Sequence, residues 1–180
     1  MAVILDPVPL PALVELVNGW GSTPRLEAGE QDWPYPARDQ LLGQLGVSPD
    51  AVPEADAALV IVADQLHPIF ATDDRAVRAA RINALLALTK VRPALQEQRH
   101  HLQASWLIDD SRQALLAAAA VALRDHLADN PKNRLGTCAG RRCADIYVDT
   151  SPSGHRRYCS LTCQNRARVA AYRSRHAATS

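Results

Sequence analysis

Residues 135–177 read LGTCAGRRCADIYVDTSPSGHRRYCSLTCQNRARVAAYRSRHA, and their cysteine spacing decides how this end of the chain folds. Cys138 and Cys143 enclose four residues, Cys159 and Cys163 enclose three, and fifteen residues separate the two pairs. The chain of 180 residues has no other cysteine. Two close pairs across a hairpin-length gap form the pattern by which a protein grips one zinc ion tetrahedrally. The competing arrangements are two disulfides or unrelated free thiols. The core argues that some staple is needed: Leu135, Ile146, Tyr147, Val148, Tyr158, Leu161, Val169 and Tyr172 are the only sizeable apolar residues here, too few for a core of their own. Ser160 is a good helix N-cap, which puts Cys159 just before a helix and Cys163 in its first turn. The positive end of the helix dipole favours thiolate there. Four sulfur ligands leave no open position, so a zinc ion held this way is structural, not catalytic.

The run Asp145 to Asp149 alternates like a strand, Ser151-Pro152-Ser153-Gly154 reads as a turn, and His155 to Tyr158 as a second strand. Leu161 to His176 follows as a helix rich in Ala and Arg. Knuckle, hairpin and ligand-bearing helix together make a treble-clef-like zinc finger. Cys138 and Cys143 with Ile146-Tyr147-Val148-Asp149-Thr150-Ser151, then Arg156-Arg157-Tyr158-Cys159-Ser160, then Cys163-Gln164-Asn165-Arg166-Ala167-Arg168-Val169-Ala170-Ala171-Tyr172-Arg173, resemble the CGNR zinc-finger family. The preceding residues look, more weakly, like the alanine-biased domain of stress-induced bacterial transcription regulators. The resemblance implies zinc at the four cysteines and DNA binding by the finger. Gln164 stands where that family has its signature glycine. Within a helix this is a mild change, because glutamine is the better helix former.

On a helical wheel of about 100° per residue, Leu161, Val169 and Tyr172 share a side with Asn165. Arg166 and Arg173 share one flank, Arg168 and Arg175 another. An apolar stripe for packing, with arginine rails beside it, suits a helix that meets a nucleic-acid backbone or groove. Arg156 and Arg157 add candidate phosphate contacts, and Arg141 and Arg142 lie in the first knuckle. Asn165, in the stripe, is expected to hold the knuckle or hairpin backbone. The alternatives are a solvated basic face without a partner, a basic face docked on the acidic N-terminal half or on another protein, or RNA in place of DNA.

Upstream, Asn130 to Arg134 reads as a linker, dividing a domain over 1–130 from the finger over 135–177. Apolar residues are 47% of the chain, mostly Ala, Leu and Val, with one Phe, four Tyr and three Trp. That composition favours helices. Leu10, Leu13, Val14 and Val17 mark a first helix stopped by Gly19 and Gly21, and residues 37–45 a short one ended by Gly46. Leu59, Val62, Ala63 and Leu66 face inward from another, which Pro68 should kink or end. Thr72-Asp73-Asp74 caps the next, with Ala76, Val77, Ala80 and Leu88 inward. Residues 92–108 alternate as a β-hairpin around a polar tip. Asp109-Asp110-Ser111 opens a long Ala/Leu helix over about 112–128, whose Ala117–Ala120 run suits close helix contact. The fold class is therefore α+β, mostly α.

Residues 132–180 hold ten basic residues against two acids, and residues 1–131 hold ten against seventeen. Opposed halves suggest different partners, the basic one a candidate for DNA. No apolar run approaches the length of a membrane span. Met1 to Leu10 carries Asp6 and no basic residue, unlike a signal peptide, so a cytoplasmic protein is expected. His100-His101 reads as exposed rather than as a second metal site. His155 is surplus to a complete ligand set, and His126 reads as a charge at a helix C-terminus. Trp20, Trp33, Tyr35 and Trp106 could line a small-molecule pocket, though packing under the proline-rich loop is the plainer account. No phosphate loop, nucleophile elbow or His-Glu-x-x-His occurs, so no enzyme is expected. The expected protein is a zinc-finger DNA-binding regulator whose N-terminal domain senses a ligand or forms a homodimer. The alternative is a zinc-stabilised protein-interaction module.

Overall fold

The computed structural model describes residues 2–6, 8–46, 52–98, 100–130, 134–151 and 153–177. Most of the expected linker, Pro152 of the expected turn and Arg99 at the hairpin tip lie outside them. The chain is α+β and mostly helical. A short strand, β1 (Val3–Ile4), precedes α1 (Leu10–Trp20), α2 (Ser22–Ala28), α3 (Arg38–Leu45), α4 (Asp56–Ala71) and α5 (Arg75–Thr89). The hairpin β2 (Arg92–Gln98) and β3 (His101–Ile108) leads through a short 3₁₀ turn into α6 (Ala114–Asp129). The finger comprises β4 (Arg134–Thr137), β5 (Ile146–Asp149) and α7 (Leu161–Ala177).

Helices α1 and α4 pack together, as do α5 and α6. Their shared core includes Leu13, Leu16, Leu59, Leu66, Phe70 and Leu123. Ala117 to Ala120 are buried, so the Ala-rich face of α6 admits its neighbours closely, as the sequence suggests. The hairpin forms in the register Arg92 to Leu107 through Gln98 to His101, with β1 added antiparallel to β3. Asp74 caps α5 as expected, accepting from the backbone N–H groups of Ala76 and Val77.

Three expectations change. Pro68 does not end α4, which runs on to Ala71. It forgoes the N–H bond to the Asp64 carbonyl, but the buried Leu66, Ile69 and Phe70 hold the last turn against the core. On α5 the inward face is Arg78, Ile82, Leu85 and Thr89, while Val77 and Leu88 are 40% and 53% exposed. The spacing is helical but the face differs, because a buried arginine occupies a core position. Its guanidinium donates to the carbonyls of Ile69, Thr72 and Leu135. Among the aromatics, Tyr35 stacks on Trp20 at 6.4 Å and lies under the Arg25 guanidinium, but Trp33 is exposed. Trp106 belongs to a separate cleft, so the four rings line no common pocket.

The core does not stop at the finger. Leu135 of β4 and Ile146 of β5 are buried in the same cluster as the helices, with Val148 packed against it. Helices α1 and α4 both contact this hairpin.

Candidate metal centre

The first half of the site is built on β4 and β5, which pair antiparallel with Leu135 opposite Val148 and Gly136 opposite Tyr147. The expected partner of β5 was His155 to Tyr158, but that segment forms no strand. Arg134 to Thr137 supplies the edge instead, and 155–158 is tied down by side chains and loop contacts. A Cβ on Gly136 would come within 2.8 Å of the Tyr147 ring, so the ring covers bare backbone there. Between the strands, the Cys138 N–H donates to the Asp145 carbonyl at 2.8 Å, which closes the knuckle. The Gly140 N–H points to Cys138 Sγ at 3.4 Å. A side chain on Gly140 would crowd that sulfur at 3.3 Å.

The second half is the start of α7. Ser160 caps it, its hydroxyl accepting from the Cys163 N–H at 3.3 Å. The four sulfurs meet within 4.8 Å of one another. Cys143 and Cys159 are 3.7 Å apart, and Cys159 and Cys163 3.6 Å. A tetrahedron with metal–sulfur bonds of about 2.3 Å has edges of about 3.8 Å. A disulfide would need about 2.05 Å, and all four cysteines are free. The donor set therefore fits one zinc ion held by Cys138, Cys143, Cys159 and Cys163, and the disulfide alternative falls. A closed set of four thiolates gives the ion a structural role: it ties the knuckle to the helix.

Burial is the largest influence on the thiols of Cys143 and Cys159 and pushes both up, Cys159 to about 12. Burial also acts to raise Cys163, but hydrogen bonds from Ser160 and the neighbouring thiols outweigh it and hold Cys163 below its usual value. Without a metal, Cys143 and Cys159 keep their protons at neutral pH. A dication displaces them.

Around the sulfurs lies a polar frame centred on Asp149, which is 1% exposed. One carboxylate oxygen accepts from the N–H and hydroxyl of Ser151 at 3.0 and 2.6 Å. The other accepts from the Arg156 N–H at 3.0 Å. Burial acts to raise this carboxyl, but these hydrogen bonds and the Arg156 charge outweigh it and hold it below 3.8. The Tyr147 hydroxyl donates to the Arg156 carbonyl at 2.6 Å, and the Ala139 N–H to the Arg157 carbonyl at 2.8 Å.

The basic residues divide. Arg156 is engaged within the finger: it donates to the carbonyls of Tyr158, Val148 and Cys159 and lies 4.9 Å over the Tyr147 ring. Arg157, Arg166, Arg168, Arg173 and Arg175 are exposed. The expected apolar stripe of α7 is largely exposed: Leu161, Val169 and Tyr172 are 77%, 49% and 58% exposed, and the Tyr172 ring lies 4.2 Å from that of His176 on the same helix. Every residue from Arg168 to His176 is exposed, so beyond its first turns α7 projects into solvent. Asn165 is also exposed and does not brace the knuckle. Gln164 sits in the helix, its N–H donating to Ser160, so this position needs no glycine conformation. His155 lies outside the sulfur cluster. His126 is partly buried, which lowers its pKa, and its Nε2 has no partner among the described residues. It is not the charged helix-end group the sequence suggests.

Residues that brace the finger from the helical side escape a sequence reading. Asn18 of α1 donates to the Ile146 carbonyl at 3.1 Å and accepts from the Ile146 N–H at 2.7 Å. His67 Nε2 lies 3.0 Å from the Ala144 carbonyl, and Arg78 donates to Leu135 at 3.2 Å. The one signal for Asn18 is a polar residue beside the apolar stripe of α1.

Strand pair, knuckle and ligand-bearing helix define a four-cysteine zinc finger. Residues 134–176 match the family model of the CGNR zinc finger. No curated protein matches the chain. Among the described residues, no helix is long and apolar enough to cross a membrane.

Proposed function

We propose that this protein is a cytoplasmic, DNA-binding transcription regulator of the stress-response kind and not an enzyme. In this reading zinc holds α7 so that its arginines meet DNA. The observation that carries it is the exposure of Arg166, Arg168 and Arg173 on a helix anchored at one end by two cysteines of the cluster. Arg157 and Arg175 lie on the same finger. Arg156 supports the others by holding the loop before Cys159, a role its carbonyl contacts favour over phosphate binding. Single helices with this charge gain affinity mainly by releasing counterions from phosphates.

The test is binding of the zinc-loaded full chain to duplex DNA across a salt series. Four to six neutralised phosphates predict that log K falls with log salt at a slope of about −4 to −5. Replacing Arg166 and Arg173 by Ala together should flatten that slope by about 2. Binding that is undetectable or independent of salt would sink the reading, and selection from a random DNA pool would give the site and its symmetry.

A second reading rests on the exposed stripe of Leu161, Val169 and Tyr172. Such a row at helical spacing suits contact with another helix, in a homodimer or a partner protein. Sedimentation with and without DNA separates the two: a chain that associates through α7 yet ignores DNA is an interaction module.

A further inference from the structure

Three arginines converge on a groove between α5 and α6. Arg75 and Arg78 reach it from α5, Arg124 from α6, and Asn83 and Asn130 add amides. Ile82 and Leu127 give it an apolar wall, and its volume is about 280 Å³. No carboxylate of a described residue lines it.

The charges are unevenly engaged. Arg124 is paired with Asp125 at 2.9 Å and stacked over Trp106 at 4.8 Å. Arg75 is exposed, and its charge acts against that of Arg78, while Asp73, which does not line the groove, favours it more strongly. Arg78 is 8% exposed: its Nε and Nη2 donate to described residues, and Nη1, without an acceptor among them, reaches solvent. Gathering like charges beside apolar surface opposes folding, and an anion would offset that cost. Guanidinium forks match carboxylate and phosphate alike.

We propose that this groove binds a small organic anion, a carboxylate or phosphate joined to an apolar body about the size of one aromatic ring. Arg75 and Arg78 take the charged group, the amides of Asn83 and Asn130 orient it, and Ile82 and Leu127 receive the body. The site also touches the finger. The guanidinium that would hold the anion donates to the Leu135 carbonyl of β4. A bound anion therefore alters the hydrogen bond that clamps the finger to the helices.

The test is an NMR titration of the zinc-loaded full chain at constant ionic strength, with benzoate, phenyl phosphate, inorganic phosphate and neutral benzyl alcohol as probes. Saturable shifts of the Ile82, Asn83 and Gly136 amides with benzoate or phenyl phosphate are expected, and none with benzyl alcohol. Arg75→Gln, an exposed position, should weaken binding about tenfold and leave the unliganded spectrum in place elsewhere. No saturation by either organic anion through the millimolar range would overturn the proposal. So would affinity unchanged in Arg75→Gln, or equal for inorganic and phenyl phosphate. No DNA enters this experiment, so its failure is distinct from failure of the regulator reading.

Discussion

Asn18 and Asp149 each hold a piece of finger backbone that no regular structure would pair. Asn18 meets both polar groups of the Ile146 peptide, as a neighbouring strand would. Asn18→Ala would orphan that N–H and C=O at a half-buried site, at a cost of about 2–3 kcal/mol. Urea unfolding of the zinc-loaded chain measures this, and a loss within error of zero would show that water replaces the amide. Asp149 accepts three hydrogen bonds, and in Asp149→Asn an amide N–H₂ must face one of those donors. The expected loss is about 1–3 kcal/mol at neutral pH. Its pH dependence has a definite sign. The folded carboxyl titrates below its ordinary value of 3.8, so its contribution is complete above that value. It is lost as pH falls through the lower, folded value. The gap between wild type and Asp149→Asn should therefore be constant from pH 7 to about 5 and close below pH 4.

Between residue and molecule stands the zinc cluster, which unites two elements that barely touch otherwise. Thiols raised by burial must lose protons to ligate. Adding zinc to the metal-free chain in weak buffer at pH 7 should therefore release at least the protons of Cys143 and Cys159. A pH indicator reads this directly, and zinc uptake without proton release would exclude thiolate ligation. Cys163→Ser should weaken zinc binding, because Cys163 is the one member of the sulfur set that lies within α7. At this scale the sequence was informative where the pattern is local. Four closely spaced cysteines, the Ser160 cap, the 92–108 hairpin and the Asp74 cap all depend on near neighbours, and all form as read. What was illegible depends on distant chain. Arg134 to Thr137 displaced His155 to Tyr158 as the partner of β5, because Leu135 can enter the helical core. On α5, a periodicity reading puts Val77 and Leu88 inside. Only the carbonyls of Ile69 in α4, Thr72 just after it and Leu135 in β4 make Arg78 the buried residue.

For the whole molecule, the consequence is that finger and helices share one core. The apolar poverty of residues 135–177 suggested that zinc must substitute for a core. In the structure Leu135 and Ile146 borrow one from α1 and α4, and a zinc ion on the four cysteines would fasten the part that cannot reach it. Domains joined in this way melt together, whereas a tethered finger would melt separately. Chelating zinc should therefore leave β4 and β5 docked and release α7, lowering the midpoint of a single thermal transition. Ile146→Ala removes a fully buried side chain between finger and helices, and should cost about 2–5 kcal/mol. That loss should appear in helical circular dichroism and in zinc retention at the same temperature. The excised segment 134–177, deprived of Asn18, His67 and Arg78 as well as the core, should bind zinc but hold β4 and β5 poorly. Two well-separated transitions in the intact chain, with Ile146→Ala shifting only one, would show that the shared core contributes little. In that case the finger would be an autonomous unit carried on a linker.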